Sequence, residues 1–268
     1  MKRILIPTDF SPNAQKAAEY AVRLFSDESE MVLVHAYQIP HSGANVLISV
    51  QDILEKDALK LLTEEKNRIV DLFPNAKTSL SVEARLGEPQ EILRRMINEN
   101  ETDLVVMGTQ GATGLKGILV GSVASSVLER VNAPILAIPM GAELHLPKSI
   151  AFAADDQSLN GLNLPSIIIQ LAVKHTSHVH VINIVGKDES RTVGVSDSTD
   201  AKPIESLKDV QQTYHFLEDD DVVHGLDTFL DRHQIDLLSL INRKQDLFSM
   251  LFNRSVTKRM LLHSKTPI

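Results

Sequence analysis

Short apolar segments of strand length alternate with longer amphipathic segments along the first half of the chain. This alternation is typical of a parallel β-sheet whose two faces are covered by helices. Ser11 followed by Pro12 predicts the start of the first helix, because serine is a frequent N-cap and proline suits the first helical position. The predicted strands are Arg3–Pro7, Met31–Ala36, Ser79–Arg85, Leu104–Gly108 and Pro134–Ile138, and the predicted helices cover 12–25, 50–73, 89–99 and 122–131.

The two halves of the chain are related by a weak internal repeat. Near the start of each half, an offset of 146 residues aligns Ile4–Asp9 with Ile150–Asp155. Later the offset is 133 and aligns three pairs: Asp103 with Asp236, Ser122 with Ser255, and Pro134 with Pro267. The second copy is therefore about thirteen residues shorter, and we expect the loss to fall in the region of its second helix, near a polar stretch over 186–200 that predicts a loop.

The repeat predicts two α/β domains in one chain. Each alternates strands and helices, and right-handed crossovers limit such a chain to a few doubly wound topologies. We expect a first domain over 1–140, a linker over 141–148 and a second domain over 149–268. The sequence stops at Pro267-Ile268, so the second copy lacks most of its last strand.

Composition excludes several classes of protein. The 27 basic and 35 acidic residues leave a net charge of −8, which argues against a nucleic-acid partner or an anionic membrane surface. The absence of cysteine excludes disulfides, cysteine nucleophiles and thiolate metal sites. No apolar run approaches the roughly 20 residues of a membrane-spanning helix, and Met1-Lys2-Arg3 leads straight into a strand, so we expect a cytoplasmic protein without membrane insertion.

Glycine marks the candidate site. Five of the twelve glycines follow the fourth predicted strand, namely Gly108, Gly111, Gly114, Gly117 and Gly121. Glycine is needed where backbone takes a positive φ or closely approaches a ligand. The last of them precedes Ser122 and an apolar helical pattern, and the N-terminus of a helix attracts phosphate.

This glycine segment matches neither of two common phosphate-binding patterns. The Walker pattern fails because Gly111 and Lys116 do not have its spacing, and G-x-G-x-x-G is absent. If the strand order is 3-2-1-4-5, the ligand crevice of a doubly wound sheet lies beyond strands 1 and 4. The segments that meet there are Pro7–Asp9 and Gly108–Gly111, so motif and topology select the same crevice.

Two segments, Ile4–Ser11 and Met107–Ser122, resemble the universal stress protein family, and the repeat makes the chain similar to its tandem, two-domain members. The resemblance implies two Rossmann-type domains of strand order 3-2-1-4-5 and a site for ATP in the first, with Mg²⁺ carried by the nucleotide and Asp9 as its candidate ligand. It also implies that Ala36 lies near the base and that Val123 and Ala124 donate amides to phosphate. The implied nucleotide-binding residues are Pro7, Thr8, Asp9, Ala36, Met107, Gly108, Gly111, Gly121, Ser122, Val123 and Ala124.

The candidate residues also have ordinary structural interpretations. Asp9 could cap the first helix and Ser122 the fourth, and Lys116 could be a solvated surface lysine. His35 is interpreted as a core or rim residue, and the acidic run Glu218–Asp221 as a solvated loop. His178 and His180 alternate in a strand-like run with His175 nearby, but no carboxylate lies at a matching position, so we predict no metal site in the protein itself.

The second copy departs from the motif at the positions that bear on binding. In the second copy, Ile241, Lys244 and Arg254 stand at the positions of Gly108, Gly111 and Gly121. Asp155 and Ser255 keep the residue types of Asp9 and Ser122. Side chains at these positions obstruct close approach of a triphosphate to the backbone. We therefore expect one nucleotide per chain, bound in the first domain.

Three functions stay open at this point. The resemblance favours a stress-response regulator that binds ATP, acts on an unidentified protein partner and forms an intramolecular pseudo-dimer or a homodimer, because the fifth strand is an exposed edge. A slow ATPase is the enzymatic alternative, although the sequence offers no Walker lysine and no evident general base beyond Asp9. A nucleotide-independent scaffold or ligand carrier is the third, and it predicts a non-nucleotide ligand and no ATP binding.

Overall fold

The computed structural model describes residues 2–27, 29–39, 47–99, 102–111, 121–131, 133–154, 165–185, 204–241 and 254–268. The chain divides into two compact units, Met1–Met140 and Gly141–Ile268. Each unit has its own parallel sheet. The predicted fold class, two tandem doubly wound α/β domains, is confirmed.

The first unit alternates strands and helices throughout. Its sheet has the order β3-β2-β1-β4-β5, and the described strand pairs are parallel. The predicted order 3-2-1-4-5 is therefore confirmed. The elements are β1 (Lys2–Pro7), α1 (Pro12–Phe25), β2 (Ser29–Tyr37), α2 (Leu47–Leu72), β3 (Ser79–Leu86), α3 (Pro89–Glu99), β4 (Leu104–Gly108), α4 (Ser122–Arg130) and β5 (Ile135–Ile138).

The β1 strand lies at the centre of the first core. Its residues Ile4, Leu5 and Ile6 are fully buried on both faces of the sheet, as expected for a strand covered by helices on either side. The α1 helix presents small residues to the sheet, including Ala17 and Ala21, which are also fully buried. Their small side chains allow the helix to pack closely, which fixes the position of its N-terminus at the carboxyl edge of the sheet.

The second unit repeats this arrangement with fewer strands. Its sheet has the order β8-β7-β6-β9. The connection from β7 to β8 is shorter than that from β2 to β3, so the shortening of the second copy falls in the predicted region. Its elements are β6 (Ser149–Ala154), α5 (Ser166–His175), β7 (His178–Val185), β8 (Gln211–Glu218), α6 (Val222–His233), β9 (Leu237–Leu240) and α7 (Arg254–His263).

Equivalent hydrogen bonds appear in both units at repeat-related positions. The Asp103 carboxylate accepts from the amide of Arg3 at 2.8 Å, and the Asp236 carboxylate accepts from the amide of Ser149 at 2.9 Å. The carbonyl of Pro134 accepts from Val105 in the first unit, as that of Pro267 accepts from Leu238 in the second, both at 2.9 Å. The weak sequence repeat is therefore a repeat of backbone structure.

The acidic run after β8 has a more specific role than the predicted solvated loop. Asp221 is the N-cap of α6, where its carboxylate accepts from the amides of Val223 and His224. The same carboxylate pairs with Arg259 of α7 at 2.7 Å. Predictions that concern Gly114, Lys116, Gly117, Asp155, Lys244 and 186–200 lie outside the described residues. Among the helices of the described part, none is long and apolar enough to cross a membrane.

Candidate functional site

A crevice opens at the carboxyl edge of the first sheet, between β1 and β4. It encloses roughly 820 Å³ including the solvent at its mouth. The structure brings all eleven predicted residues to its wall: Pro7, Thr8, Asp9, Ala36, Met107, Gly108, Gly111, Gly121, Ser122, Val123 and Ala124. It lies at the switch point of the strand order, where doubly wound sheets bind ligands.

The turn after β1 is held by its own side chains. The Thr8 hydroxyl accepts from the Phe10 amide at 3.0 Å, and the Asp9 carboxylate accepts from the Ser11 amide at 3.1 Å. Phe10 has a φ of 62°, which these two bonds help to stabilise. Ser11 is the N-cap of α1 because its hydroxyl accepts from the Ala14 amide. Asp9 therefore does not cap α1, and its exposed carboxylate lies at the crevice.

The start of α4 forms the opposite wall. The Gly121 amide donates to the Thr109 carbonyl at 2.7 Å, which closes the base of the glycine segment. Gly121, rather than Ser122, is the N-cap, and Ser125 is the first residue whose amide donates within the helix. The amides of Ser122, Val123 and Ala124 precede it and have no intrahelical acceptor. This end of the crevice suits an anion.

Asn13 is a structural residue of the site that the sequence analysis missed. Its side chain is fully buried in the first turn of α1. The Nδ2 group donates to the Ile138 carbonyl at 3.0 Å, and Oδ1 accepts from the Gln110 amide at 2.9 Å. Asn13 thus joins α1, β5 and the glycine segment. Its position two residues after the Ser11 N-cap gives no signal of this role, because its partners are distant in sequence.

One of the motif glycines, Gly108, is required by a contact inside the protein. A Cβ on Gly108 would lie 2.6 Å from Asn13 Oδ1, and a Cβ on Gly111 would lie 2.6 Å from Asp9 Oδ2. Either distance is far below van der Waals contact. A Cβ on Gly121 would lie 3.3 Å from the Thr109 carbonyl oxygen, which is tight but less severe. The sequence analysis attributed these glycines to ligand approach alone. The structure adds an internal reason for Gly108, because Asn13 is fully buried, whereas the atom nearest to a Cβ on Gly111 is the end of an exposed side chain.

Part of the crevice wall is apolar. His35 lies at its edge, where Nδ1 donates to the Thr8 carbonyl at 2.8 Å and the ring packs against Phe10 with 4.6 Å between centroids. His35 is thus a half-buried rim residue of the site. The lining residues that the sequence analysis did not name are Ala14, Val34, His35, Pro89, Ile92, Leu93, Thr109 and Gln110.

The equivalent positions of the second unit carry side chains. Ile241 follows β9 where Gly108 ends β4, and Arg254 begins α7 where Gly121 caps α4. The glycine contacts that shape the first crevice therefore have no counterpart at these two described positions.

The crevice combines an apolar part of its wall with backbone donors at a helix N-terminus. No group of three or more histidine and carboxylate side chains in the described residues is placed to hold a metal ion by itself. Fold and crevice together define a Rossmann-type α/β protein with a site suited to a ligand that has an apolar part and an anionic part.

Comparison with known proteins identifies the family. The family model described as the universal stress protein family matches residues 1–139, and the chain belongs to this family. Universal stress protein MJ0531 of Methanocaldococcus jannaschii is 28% identical over 144 residues, which are 51% of this chain and 81% of that protein.

One solved structure supports the two-unit fold. A universal stress protein from Archaeoglobus fulgidus covers 99% of this chain and 96% of its own, with a TM-score of 0.69 and 17% identity. A family protein from Arabidopsis thaliana, solved with AMP bound, covers 52% of this chain and 92% of its own, with a TM-score of 0.37 and 12% identity. The first likeness extends the fold over both units, and the AMP is a property of the second protein.

Proposed function

We propose that the first unit binds ATP in the crevice between β1 and β4 and that the protein acts in the cytoplasm as a nucleotide-dependent regulator of a stress response. The observation that carries the proposal is the joint position of the α4 N-terminus, Asp9 and the glycine segment around one crevice at the sheet switch point. Membership of the universal stress protein family supports the stress role.

The anionic end of the crevice fits a phosphate chain. The amides of Ser122, Val123 and Ala124 form the first turn of α4, and aligned peptide dipoles make this end electropositive. No lysine or arginine is among the described residues that line the crevice. Backbone donors would therefore supply most of the contacts to phosphate, as they do at other helix N-termini.

The apolar part of the wall fits a purine ring. Val34, Leu93 and Met107 are buried there, and the short side chain of Ala36 leaves space beside them. Burial of a flat heteroaromatic ring against aliphatic side chains is favourable in proportion to the apolar area removed from water. These residues would hold the base.

Mg²⁺ would enter with the nucleotide. It prefers oxygen ligands and usually binds through one or two carboxylates together with phosphates. Asp9 is the carboxylate at the crevice, and its exposed position leaves it accessible to such an ion. When bound, Mg²⁺ would neutralise phosphate charge, while Asp9 would orient it toward the α4 end.

The second unit is proposed to be a degenerate universal stress domain without a nucleotide. In the sequence repeat, Ile241 and Arg254 stand at the positions of Gly108 and Gly121. Nucleotide binding in the first unit would regulate a protein partner only if the two conformations involved have different affinities for the nucleotide. An intramolecular pseudo-dimer or a homodimer stays a prediction.

Isothermal titration of the full chain with ATP and Mg²⁺ tests the proposal. We expect one site per chain, lost in Gly121→Arg, which copies the second unit. Gly141→Arg is the matched control, because no atom would lie within 4 Å of its Cβ. Circular dichroism checks that both variants fold. No heat with the wild-type chain, together with a co-purified non-nucleotide ligand, would instead establish the carrier alternative.

A slow ATPase is the second candidate, favoured by the position of Asp9 at the crevice. It predicts phosphate release that Asp9→Asn abolishes while ATP still binds. Release that is equal in the two proteins, or absent from both, would exclude this role of Asp9.

A further inference from the structure

Four histidines cluster on one face of the second sheet. His178 and His180 lie on β7, His215 lies on β8, and His233 lies in the last turn of α6. The β7–β8 register pairs His180 with Thr213, so His215 follows two residues later on the same face. Ring centroids lie 4.1 Å apart for His178 and His180, 5.2 Å for His180 and His215, and 5.3 Å for His215 and His233.

One hydrogen bond joins two imidazoles inside this four-histidine cluster. His180 Nδ1 and His215 Nε2 are 3.0 Å apart. Such a bond needs a proton on one nitrogen and a lone pair on the other. If both rings are protonated, both nitrogens carry hydrogen and face each other, so the bond is lost and two cations are in contact. The observed packing therefore requires at least one neutral ring.

The remaining neighbours of His180 are mostly apolar. Its side chain is only 8% exposed, with Phe229 of α6 edge-on at 5.9 Å and Ala151 of β6 beside it in the sheet. Phe229 in turn stacks on His233 at 4.0 Å. The titratable groups that act on His180 within the described part of the chain are His178 on its own strand, His215 on β8 and His233 on α6. Protonation therefore places like charges together in a partly desolvated site.

We propose that the four-histidine cluster makes the packing of α6 on the second sheet acid-sensitive, so that mild acid loosens the second unit while the first unit stays folded. The four rings belong to both sides of one interface, the sheet and the helix. Repulsion among them acts directly on the contact between α6 and the strands, through Phe229 and His233.

The direction of the pH dependence follows from linkage. Burial, with smaller contributions from the neighbouring histidines, lowers the pKa of His180 to about 4, and burial lowers the pKa of His178 as well. An unfolded histidine titrates near 6.5. The unfolded state therefore binds more protons between these values, so stability is full above about pH 6.5 and falls as the pH decreases toward about 4. One such proton changes the folding equilibrium by up to about tenfold per pH unit.

Hydrogen exchange of the full chain, read by mass spectrometry at pH 7 and pH 5 and corrected for intrinsic rates, tests the proposal. We expect protection in peptides from β7, β8 and α6 to fall at least about tenfold at pH 5, while peptides from β1 and β2 keep theirs. His215→Leu removes one ring of the cluster and should weaken this dependence. His145→Gln changes an exposed histidine of the same unit outside the cluster and should preserve it.

An NMR titration of the histidine side chains in the wild-type chain decides the question even if His215→Leu does not fold. We expect the His180 ring to stay neutral well below pH 6. Titration of His180 near pH 6.5, or equal protection of α6 at pH 7 and pH 5, would overturn the proposal.

Discussion

Asn13 is the residue whose removal most directly tests how the candidate site is built. Asn13→Ala deletes both side-chain hydrogen bonds, the one to the Ile138 carbonyl and the one from the Gln110 amide. The side chain is fully buried, so solvent does not reach the space that it leaves without rearrangement. The variant therefore disconnects α1 from β5 and from the glycine segment without altering the crevice wall itself.

The expected loss of stability depends on which hydrogen bonds the Ile138 carbonyl and the Gln110 amide can still make without Asn13. The Ile138 carbonyl also accepts from the Thr109 amide at 3.0 Å, so it keeps one bond. Gln110 is half-buried, and water can reach its amide. Each lost bond should therefore cost about 1 kcal/mol, near the typical net value, rather than the full penalty of a buried unsatisfied group. With about 1 kcal/mol for the small cavity, we expect Asn13→Ala to lower the free energy of unfolding by about 2–3 kcal/mol.

Urea unfolding with pulsed hydrogen exchange measures this loss in the first unit alone, because peptides from β1, β4 and α4 report on it separately. Asn98→Ala is the control, since Asn98 is exposed on α3 and should change stability by less than about 0.5 kcal/mol. ATP titration of Asn13→Ala then asks whether the anchored segment is needed for binding. A stability equal to that of Asn98→Ala would refute the role of Asn13 as an anchor.

Three further predictions rest on separate contacts. Gly108→Ala should destabilise the wild-type chain by at least about 1 kcal/mol more than it destabilises the Asn13→Ala variant, because the new Cβ would lie 2.6 Å from Asn13 Oδ1. A double-mutant cycle measures this coupling, and strictly additive effects of the two substitutions would contradict the prediction. Arg68→Ala removes the guanidinium that lies 2.8 Å from the Glu65 carboxylate, whose side chain is only 4% exposed, and should lower the free energy of unfolding in urea by about 1–3 kcal/mol. Arg94→Ala removes an exposed pair with Glu91 and should lower it by less than about 1 kcal/mol. The hydrogen bond to Asp219 raises the pKa of His224, so this pair stabilises α6 below about pH 6.5 and the effect disappears at higher pH. His224→Gln should therefore lower the hydrogen-exchange protection of α6 at pH 5.5 and leave it unchanged at pH 9. An equal effect at both pH values would exclude a contribution from the charge on His224.

The sequence was sufficient for the fold and for the position of the crevice because both depend on local patterns. Strand-length apolar runs, the Ser11-Pro12 helix start and the glycine cluster each carry their signal within a few residues. The eleven predicted site residues meet because parallel strands all end at one edge of the sheet. Whether they bind a nucleotide stays a prediction.

Contacts between distant segments could not be predicted in this way. Asn13 has partners 97 and 125 residues away, and no local pattern distinguishes it from an ordinary helix residue. The alternation of His178 and His180 indicates one face of a strand, but His215 joins them only through the β7–β8 register and His233 only through the packing of α6. Such clusters depend on tertiary geometry, which the alternation does not determine.

The two units share backbone contacts at the amino edge of their sheets and differ in sequence at the carboxyl edge. Asp103 and Asp236 make the same backbone contacts where strands begin, at the amino edge. At the carboxyl edge, Gly108 is replaced by Ile241. The amino edge contributes to the stability of a doubly wound sheet, whereas ligands bind beyond its carboxyl edge. The carboxyl edge of such a domain can therefore change while the domain keeps the hydrogen bonds that define its fold, and a second unit without a nucleotide stays a prediction.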